Sequence, residues 1–231
     1  SKRRVVVTGL GIVSPLGNDL ETTWKNILNG ESGAARITKF DASDFSTTFA
    51  AELKGYDDIS GLTQKETRRI DPFVQYALTA SDQAITDANL ALENLDTKRI
   101  GVSIGSGIGG LGSIEDNSII LKEKGPKKIS PFFVPGAIIN MASGNVAIKY
   151  NLQGPNISIV SACSSAGHSI GYSARTISYG DADIMITGGS EAGITPLGLA
   201  GFNASKALST NNENPKNCLL YTSPSPRDFT E

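Results

Sequence analysis

One uncharged stretch, residues 150–174, constrains the fold of this 231-residue chain more than any other feature. It predicts a short apolar strand over residues 154–160 and then a helix over residues 166–179. A helix at a protein surface carries polar or charged residues along one face, and this helix has no obvious solvated face. The sequence therefore predicts a helix that lies between two layers of the protein, with Cys163 at the point where the strand becomes the helix.

Strands and helices alternate along the rest of the chain, a pattern typical of α/β proteins with a largely buried sheet. The first helix is predicted to begin with Asn18 as its N-cap and Glu21 at N3, and to end near Leu28. Residues 40–62 are polar and predict loops. The other predicted strands cover residues 4–8, 99–104 and 182–187, and the other predicted helices cover residues 71–89, 112–124 and 137–149.

Composition narrows the class of function. The formal net charge is -2, with 39% hydrophobic and 19% charged residues, so we expect a soluble globular chain with no general affinity for nucleic acid. The two cysteines, Cys163 and Cys218, are too few for a disulfide framework, so we expect a reducing compartment, the cytoplasm. The single histidine, His168, excludes a site that needs several imidazoles from this chain.

Two segments were weighed as targeting or membrane signals. The basic opening SKRR is followed by only a short apolar run before glycines, which does not predict a signal peptide. Residues 129–148 carry no charge and are long enough to span a membrane, but they contain Pro131, Pro135, Asn140 and Asn145. We therefore expect these residues to form a buried layer and expect no membrane association.

A glycine motif, GSGIGG, follows the predicted strand at residues 99–104. Gly105, Gly107 and Gly110 match the G-x-G-x-x-G pattern of dinucleotide-binding sites. The acidic residue that such sites carry about twenty positions later is not obvious here, because that region reads KEKGPKK. The alternative is that these glycines permit close packing or the close approach of another ligand.

The position of Cys163 indicates chemistry. We expect this cysteine in the first turn of a helix, where unpaired N–H groups and the helix dipole favour thiolate over thiol. Its small neighbours leave room for a substrate: Ala162, Ser164, Ser165, Ala166 and Gly167. The alternative interpretation is a buried, inert cysteine.

Six segments of the chain resemble the β-ketoacyl-[acyl-carrier-protein] synthases, the elongating condensing enzymes of fatty acid synthesis, and most closely the bacterial type II synthases. These segments are RRVVVTGLGIVSPLGN, GSGIGG, KKISPFFVPGAIINMASG, GPNISIVSACSSAGHSIG, YGDADIMITGGSEAGITPLGLAGF and KALST. The resemblance covers residues 1–216. It implies the N-terminal half of a thiolase-like α-β-α-β-α layered sandwich, whose middle layer of buried helices would account for the uncharged helix after Cys163.

The resemblance also implies a reaction, a decarboxylating Claisen condensation. Cys163 would take an acyl chain from its carrier protein as a thioester, and the carbanion left when malonyl carrier protein loses carbon dioxide would attack that thioester. The backbone N–H of Cys163 would contribute to an oxyanion hole. The family needs no metal or nucleotide, so we expect no cofactor. Acyl carrier protein is the expected partner, and the full-length enzyme is expected to be a homodimer.

Further residues match functional positions of the family. The residues matching acyl-pocket positions are Gly107, Ile108, Leu111, Phe133, Ala162, Leu197, Gly198 and Phe202. The residues matching basic positions that face the acidic carrier protein are Lys65, Arg68, Arg69, Lys127, Lys128 and Lys206. Ordinary core packing and a solvated charged face are the respective alternatives. His168 lies five residues after Cys163, about 140° around a helix, so we interpret it as structural.

The resemblance ends before the chain does. Residues 217–231 read NCLLYTSPSPRDFTE, which fits neither a strand nor an amphipathic helix, so we expect an assembly or cloning junction and assign Cys218 no role. The family's catalytic histidines and lysine belong to a C-terminal half, so we expect residues 1–216 to be a synthase half that is inactive alone. A non-catalytic partner subunit is the alternative, and Cys163 argues against it.

Overall fold

A computed structural model of the chain describes residues 3–57 and 61–216. These residues form two compact units, the first within Ser1–Val13 and Gly55–Gly193 and the second within Ser14–Lys54 and Ile194–Glu231. The predicted tail, residues 217–231, lies outside the described residues together with Cys218. In chain order the elements of the described residues are α1 (Leu20–Leu28), β1 (Ala35–Arg36), β2 (Phe49–Ala50), α2 (Gln64–Thr67), α3 (Pro72–Asp87), β3 (Ile100–Gly105), α4 (Leu111–Lys124), α5 (Phe133–Ala137), α6 (Met141–Tyr150), β4 (Asn156–Ile157), α7 (Ser165–Tyr179), β5 (Ile184–Gly189) and α8 (Pro196–Ala204), with 3-10 turns at Leu92–Asn94, Thr97–Arg99 and Pro126–Lys128.

A parallel three-stranded sheet in the order β4-β3-β5 organises the first unit. All six residues of β3 are buried, as expected for the central strand of a parallel sheet. The register places Ile100 opposite Ile184 and Gly105 opposite Gly189. Because β3 and β5 run parallel, the loops that follow Gly105 and Gly189 leave the sheet at the same edge.

One face of the sheet carries the hydrophobic core. Alternate residues of a strand point to the same face, and on β3 these are Ile100, Val102 and Ile104. They belong to one core cluster with residues of α3 and α6, including Phe73 and Val146, which are fully buried. The 3.6-residue periodicity that predicted a helix over residues 71–89 is therefore the contact face of α3.

The opposite face of the sheet packs against α7 through small residues. A Cβ atom on Gly105 would lie 2.8 Å from Ser169 Oγ, and one on Gly189 would lie 2.5 Å from Ala166 Cβ. Only glycine at these two positions lets the helix approach so closely. The helix side towards the sheet is buried and consists of small hydroxyl residues: Ser165, Ser169, Ser173 and Thr176.

The other side of α7 is exposed within the described residues. Ile170 is 50% exposed and Tyr179 is 59% exposed. The expectation that this helix is covered on both sides is therefore not met by the described part of the chain, in which the first unit has three layers, helix, sheet and helix. The uncharged sequence did predict the apolar character of this outer side.

The predicted strand at residues 4–8 is wrong, because the described residues form no strand there. The residues that follow, 9–12, run along α3, where Leu10 N donates to Asp87 Oδ2 at 2.8 Å and Ile12 N donates to Gln83 Oε1 at 2.9 Å. Side chains of α3 thus satisfy two amides just after the predicted strand. Val6 and Val7 remain exposed.

Three predicted boundaries shift. Asp19 rather than Asn18 caps α1, since its carboxylate accepts from Thr22 N at 2.7 Å. The strand predicted over residues 154–160 is limited to Asn156–Ile157. Residues 129–148 divide between α5 and α6, and no helix of the described residues is long and apolar enough to cross a membrane.

A cluster of three charged residues joins the amino ends of β3 and β5. Arg99 donates to the Asp183 carboxylate at 3.0 and 3.1 Å, and Arg3 donates to it at 2.5 Å. The hydrogen bonds from Arg99 and then from Arg3 lower the pKa of Asp183 to about 2. This carboxylate is therefore ionised at neutral pH and holds the two strand ends together.

The second unit has its own small core. β1 and β2 pair antiparallel, and Ile37, Ala42 and Leu199 form a buried cluster with Phe40 and Phe45 packed against it. Residues 40–54 are largely loop, as predicted. Within this unit the buried Glu52 accepts from Thr38 N and Thr38 Oγ1, and Thr47 Oγ1 donates to Ser209 O at 2.7 Å.

A buried carboxylate of the first unit caps two helices at once. Asp71 Oδ1 accepts from Phe73 N at 3.2 Å at the start of α3. Its Oδ2 accepts from Ser113 N at 3.0 Å and from Ser113 Oγ at 2.8 Å in the first turn of α4. The N-cap of α4 is Gly110, which has no side chain to cap the helix, so Asp71 supplies the cap from another element.

We expect Asp71→Ala to lower the free energy of unfolding by about 2 kcal/mol, because two helix caps worth about 1 kcal/mol each are lost together. Urea unfolding followed by circular dichroism measures this change. Asp116→Ala, which removes an exposed carboxylate from α4, is the matched control. An equal loss in both variants would show that the double cap adds nothing to stability.

Candidate active site

A tight turn places Cys163 at the surface of the first unit, directly before α7. Its thiol is free and exposed. Ser164 is the N-cap of the helix, and the amides of Ser164 and Ser165 donate to Ser161 O and Ala162 O, both at 3.1 Å. Ala162 has φ +52, a left-handed conformation that costs a non-glycine residue about 1–2 kcal/mol. The turn thus presents the cysteine through strained backbone, as sharp strand-to-helix turns do at nucleophiles.

Cys163 lies two residues before the first helical residue, Ser165, and not in the first turn as predicted. The thiol is still adjacent to the amino end of a 15-residue helix, where the helix dipole favours negative charge. Because Cys163 is not helical, the predicted angle of about 140° between it and His168 does not apply.

Two residues of α7 hold the turn from behind. The hydroxyl of Ser165 accepts from Ser161 N at 2.9 Å and donates to Ala162 O at 2.7 Å, and Ser165 is almost fully buried. Nδ1 of His168 lies 2.6 Å from Ser161 Oγ. The contact with Ser161 supports the structural interpretation of His168.

The glycine loop after β3 binds a carboxylate of its own chain. Gly107 N and Ile108 N donate to Glu191 Oε2 at 2.7 and 3.0 Å. Gly109 N and Ser106 Oγ donate to Glu191 Oε1 at 3.2 and 3.0 Å. These are the amides that would surround a phosphate in a dinucleotide site, and an internal anion already occupies them.

Close packing explains the other glycines of this motif. A Cβ on Gly110 would lie 2.5 Å from Ala137 Cα, and a Cβ on Gly107 would lie 2.8 Å from Glu191 Oε2. The structure therefore favours the packing interpretation of GSGIGG over the nucleotide interpretation.

An apolar pocket of about 500 Å³ lies beside this loop. The size falls within the range of about 300–1,000 Å³ that is typical of small-molecule sites. Two predicted pocket residues, Ile108 and Phe133, line it together with Val160, three residues before the cysteine. Its other lining residues are Ile114, Val134, Ala137, Ile138, Ile139, Asn140 and Ser158.

The remaining predicted pocket residues have other surroundings. Leu111 is the first residue of α4 and does not line this pocket. Gly107 lies next to Ala162, since a Cβ on this glycine would be 3.5 Å from Ala162 O. In the second unit, Leu197, Gly198 and Phe202 belong to α8, where Gly198 N donates to the N-cap Thr195 Oγ1.

The predicted carrier-docking residues are all exposed. Lys65 lies on α2, and Arg68 is the C-cap of that helix. The Arg69 guanidinium lies 4.6 Å from the ring centre of Phe132, four residues after Lys128. This contact brings two basic segments of the first unit next to each other. In the second unit, Lys206 lies after the end of α8 and has φ +56. The five predicted docking residues of the first unit form no ion pair within residues 3–57 and 61–216: they are Lys65, Arg68, Arg69, Lys127 and Lys128.

Residues 2–221 match the N-terminal domain of the β-ketoacyl synthases, and the chain belongs to this family. It is similar to 3-oxoacyl-[acyl-carrier-protein] synthase 2 of Vibrio cholerae, with 52% identity over 216 residues that cover 94% of this chain and 52% of that protein. The chain thus spans about half the length of the curated relatives it matches.

Solved structures confirm the predicted thiolase-like α/β fold. A β-ketoacyl synthase from Burkholderia phymatum matches with a TM-score of 0.82 and 28% identity, over 94% of this chain and 53% of that one. A ketosynthase, solved in complex with its type II polyketide acyl carrier protein and bound to the hexaketide, matches with a TM-score of 0.76 and 25% identity, over 87% of this chain and 55% of that one.

The sequence interpretation missed two residues that shape the site, Glu191 and Ser165. The role of Glu191 becomes visible only once β3 and β5 are known to be neighbouring strands. Glu191 follows β5 just as the glycine loop follows β3, and parallel adjacency brings a carboxylate to a row of free amides. For Ser165 the sequence indicates only a small side chain, because the groups its hydroxyl contacts depend on the turn before α7.

Proposed function

We propose that this chain supplies the acyl-accepting half of a β-ketoacyl-[acyl-carrier-protein] synthase that elongates fatty acyl chains. The observation that carries the proposal is the exposed Cys163 thiol at a strained turn before α7, in a chain of the β-ketoacyl synthase family. The cysteine also argues against a non-catalytic partner subunit.

In the proposed reaction the Cys163 thiolate attacks the carbonyl carbon of an acyl thioester. The carrier's sulfur leaves as a thiol after taking one proton, and the acyl group stays on Sγ. Malonyl carrier protein then loses carbon dioxide, and the resulting carbanion attacks the acyl-cysteine carbonyl. The new carbon–carbon bond gives β-ketoacyl carrier protein and returns the thiolate.

The apolar pocket that Ile108, Phe133 and Val160 line is the proposed acyl site. Its lining is almost wholly aliphatic or aromatic, which suits a hydrocarbon chain and offers few partners to a polar substrate. Each buried methylene contributes about 0.8 kcal/mol, so a pocket of this kind selects acyl length by how many methylenes it covers.

Acyl carrier protein is the proposed partner, bound through the basic residues of α2 and of the Pro126–Lys128 turn. Their exposure and the lack of ion pairs among the described residues support this, because such cations are available to an acidic partner.

We also propose a cytoplasmic location, where a free thiol stays reduced, and a homodimer in the full-length enzyme. Exposed apolar residues on α4, Ile114, Ile119 and Leu121, support a protein contact there.

One experiment tests both the acyl transfer and the docking surface. The chain is mixed with acyl carrier protein bearing a decanoyl group, or with decanoyl-N-acetylcysteamine, and the acyl group on Cys163 is located by mass spectrometry. We expect Lys128→Glu to slow transfer from the carrier about tenfold at low salt and to leave transfer from N-acetylcysteamine unchanged. Lys98→Glu, at another exposed lysine, is the matched control.

The two substrates separate the two claims. Equal rates for Lys128→Glu and Lys98→Glu with the carrier would exclude docking at this turn. Absence of any acyl group on Cys163 with either substrate would overturn the proposed function. We expect no β-ketoacyl product from the 231-residue chain alone, because its single histidine is held by Ser161.

A further inference from the structure

Four donors of the 106–109 loop converge on one carboxylate, that of Glu191. Three of them are the successive backbone amides of Gly107, Ile108 and Gly109, and the fourth is the hydroxyl of Ser106. Gly109 N also donates to Ser106 Oγ at 3.1 Å, so the loop closes on itself around the anion. Successive amides that face inward in this way form an anion-binding nest.

The nest requires its anion. N–H groups that point to one centre cannot form hydrogen bonds with one another. Leaving them without an acceptor, either a protein group or water, costs free energy. Hydrogen bonds from N–H groups to a carboxylate are about twice as strong as neutral ones. Gly109 also has φ +78, a conformation that glycine adopts without strain, at the point where its amide donates to Glu191.

The loop that Glu191 orders reaches both parts of the site. Ile108 lines the apolar pocket. The carbonyl of Ser106 lies 3.3 Å from Ser165 Oγ, the hydroxyl that holds Ser161 and Ala162 in the turn before Cys163. The same carboxylate therefore supports one wall of the pocket and, through Ser106, the residue behind the nucleophile.

We propose that Glu191 is a positioning residue that sets the acyl-length preference of the pocket by fixing the backbone that carries Ile108. This inference rests on the proposed acyl-accepting function of Cys163. Glu191 acts through the loop and does not contact the reacting atoms. Without it the loop relaxes, Ile108 no longer limits the pocket at a defined depth, and discrimination between acyl lengths falls.

The test compares wild type, Glu191→Ala, Glu191→Gln and the control Glu123→Ala, which removes an exposed carboxylate from α4. The first readout is hydrogen exchange of the amides of residues 107–109, which needs no activity. We expect exchange to be at least about tenfold faster in Glu191→Ala, intermediate in Glu191→Gln, which keeps one acceptor oxygen, and unchanged in Glu123→Ala.

The second readout is the rate of Cys163 acylation by hexanoyl-, decanoyl- and tetradecanoyl-N-acetylcysteamine. A general loss of stability lowers all three rates alike, whereas loss of positioning changes their ratio. We expect the ratio of fastest to slowest to fall about threefold or more in Glu191→Ala, less in Glu191→Gln, and to stay constant in Glu123→Ala.

Unchanged exchange in Glu191→Ala would overturn the role of Glu191 in ordering the loop. Faster exchange with an unchanged length ratio would overturn its role in specificity. A wild-type chain that accepts no acyl group would refute the proposed function and the specificity role with it, while the exchange result would still decide whether Glu191 orders the loop.

Discussion

Replacement of Cys163 by serine will reduce acyl transfer to the chain by at least about a thousandfold. A cysteine thiol is partly ionised near neutral pH and is a strong nucleophile, whereas a serine hydroxyl needs an adjacent base. The described residues offer no such base at this turn, since the single histidine of the chain is bonded to Ser161. Intact-protein mass spectrometry after incubation with decanoyl-N-acetylcysteamine measures the loss.

The sequence contains one other cysteine, Cys218, which makes Cys218→Ser a matched control. We expect this variant to take up one acyl group at the wild-type rate. Acylation that persists in Cys163→Ser and disappears in Cys218→Ser would show that the wrong thiol has been assigned. Peptide mapping identifies the modified residue in each case.

Ile108→Phe will shift the preference of the pocket towards shorter acyl chains. The 106–109 loop is held by five hydrogen bonds that involve Glu191 or Ser106, so a larger side chain at Ile108 extends into the pocket and does not displace the backbone. Exclusion of two methylenes costs about 1.6 kcal/mol, which corresponds to roughly a fifteenfold lower rate for the longest chains. Competition between hexanoyl and tetradecanoyl thioesters for Cys163 measures the shift.

Ile27→Phe adds the same volume to an exposed position on α1 of the second unit, outside the residues that line the pocket. Its length preference is expected to equal that of wild type. If the two isoleucine variants behave alike in the competition, the pocket beside Ile108 is not where the acyl chain lies.

The elements with a strong local pattern were predictable. β3 and α7 lie within one residue of their predicted starts, because a buried apolar run and an uncharged run of small and apolar residues are properties of contiguous sequence. α3 begins one residue after its predicted start for the same reason, with Asp71 as its cap. The fold class followed from the alternation of such elements and from the family segments.

Features that depend on two distant segments were not predictable from local pattern. The strand predicted at residues 4–8 failed because an apolar run becomes a strand only where a partner edge accepts it, and the residues that follow are instead held along α3 by its side chains. Glu191 was missed because its role depends on β3 and β5 being neighbours. Asp71 was predicted at the start of one helix, yet it also caps α4, 42 residues along the chain.

The small-residue contact between α7 and the sheet limits how this family member can change over evolution. In most cores a larger side chain on one surface can be compensated by a smaller one opposite. Here Gly105 and Gly189 already have no side chain, and they face Ser169 and Ala166. Ser169 and Ala166 could still become glycine, but a Cβ on Gly105 would also lie 2.7 Å from Ile159 O and 2.8 Å from Ser165 O, backbone atoms that no second substitution removes. These positions can drift only through shifts of the backbone that would move the turn bearing Cys163, which ties their variation to the chemistry rather than to stability alone.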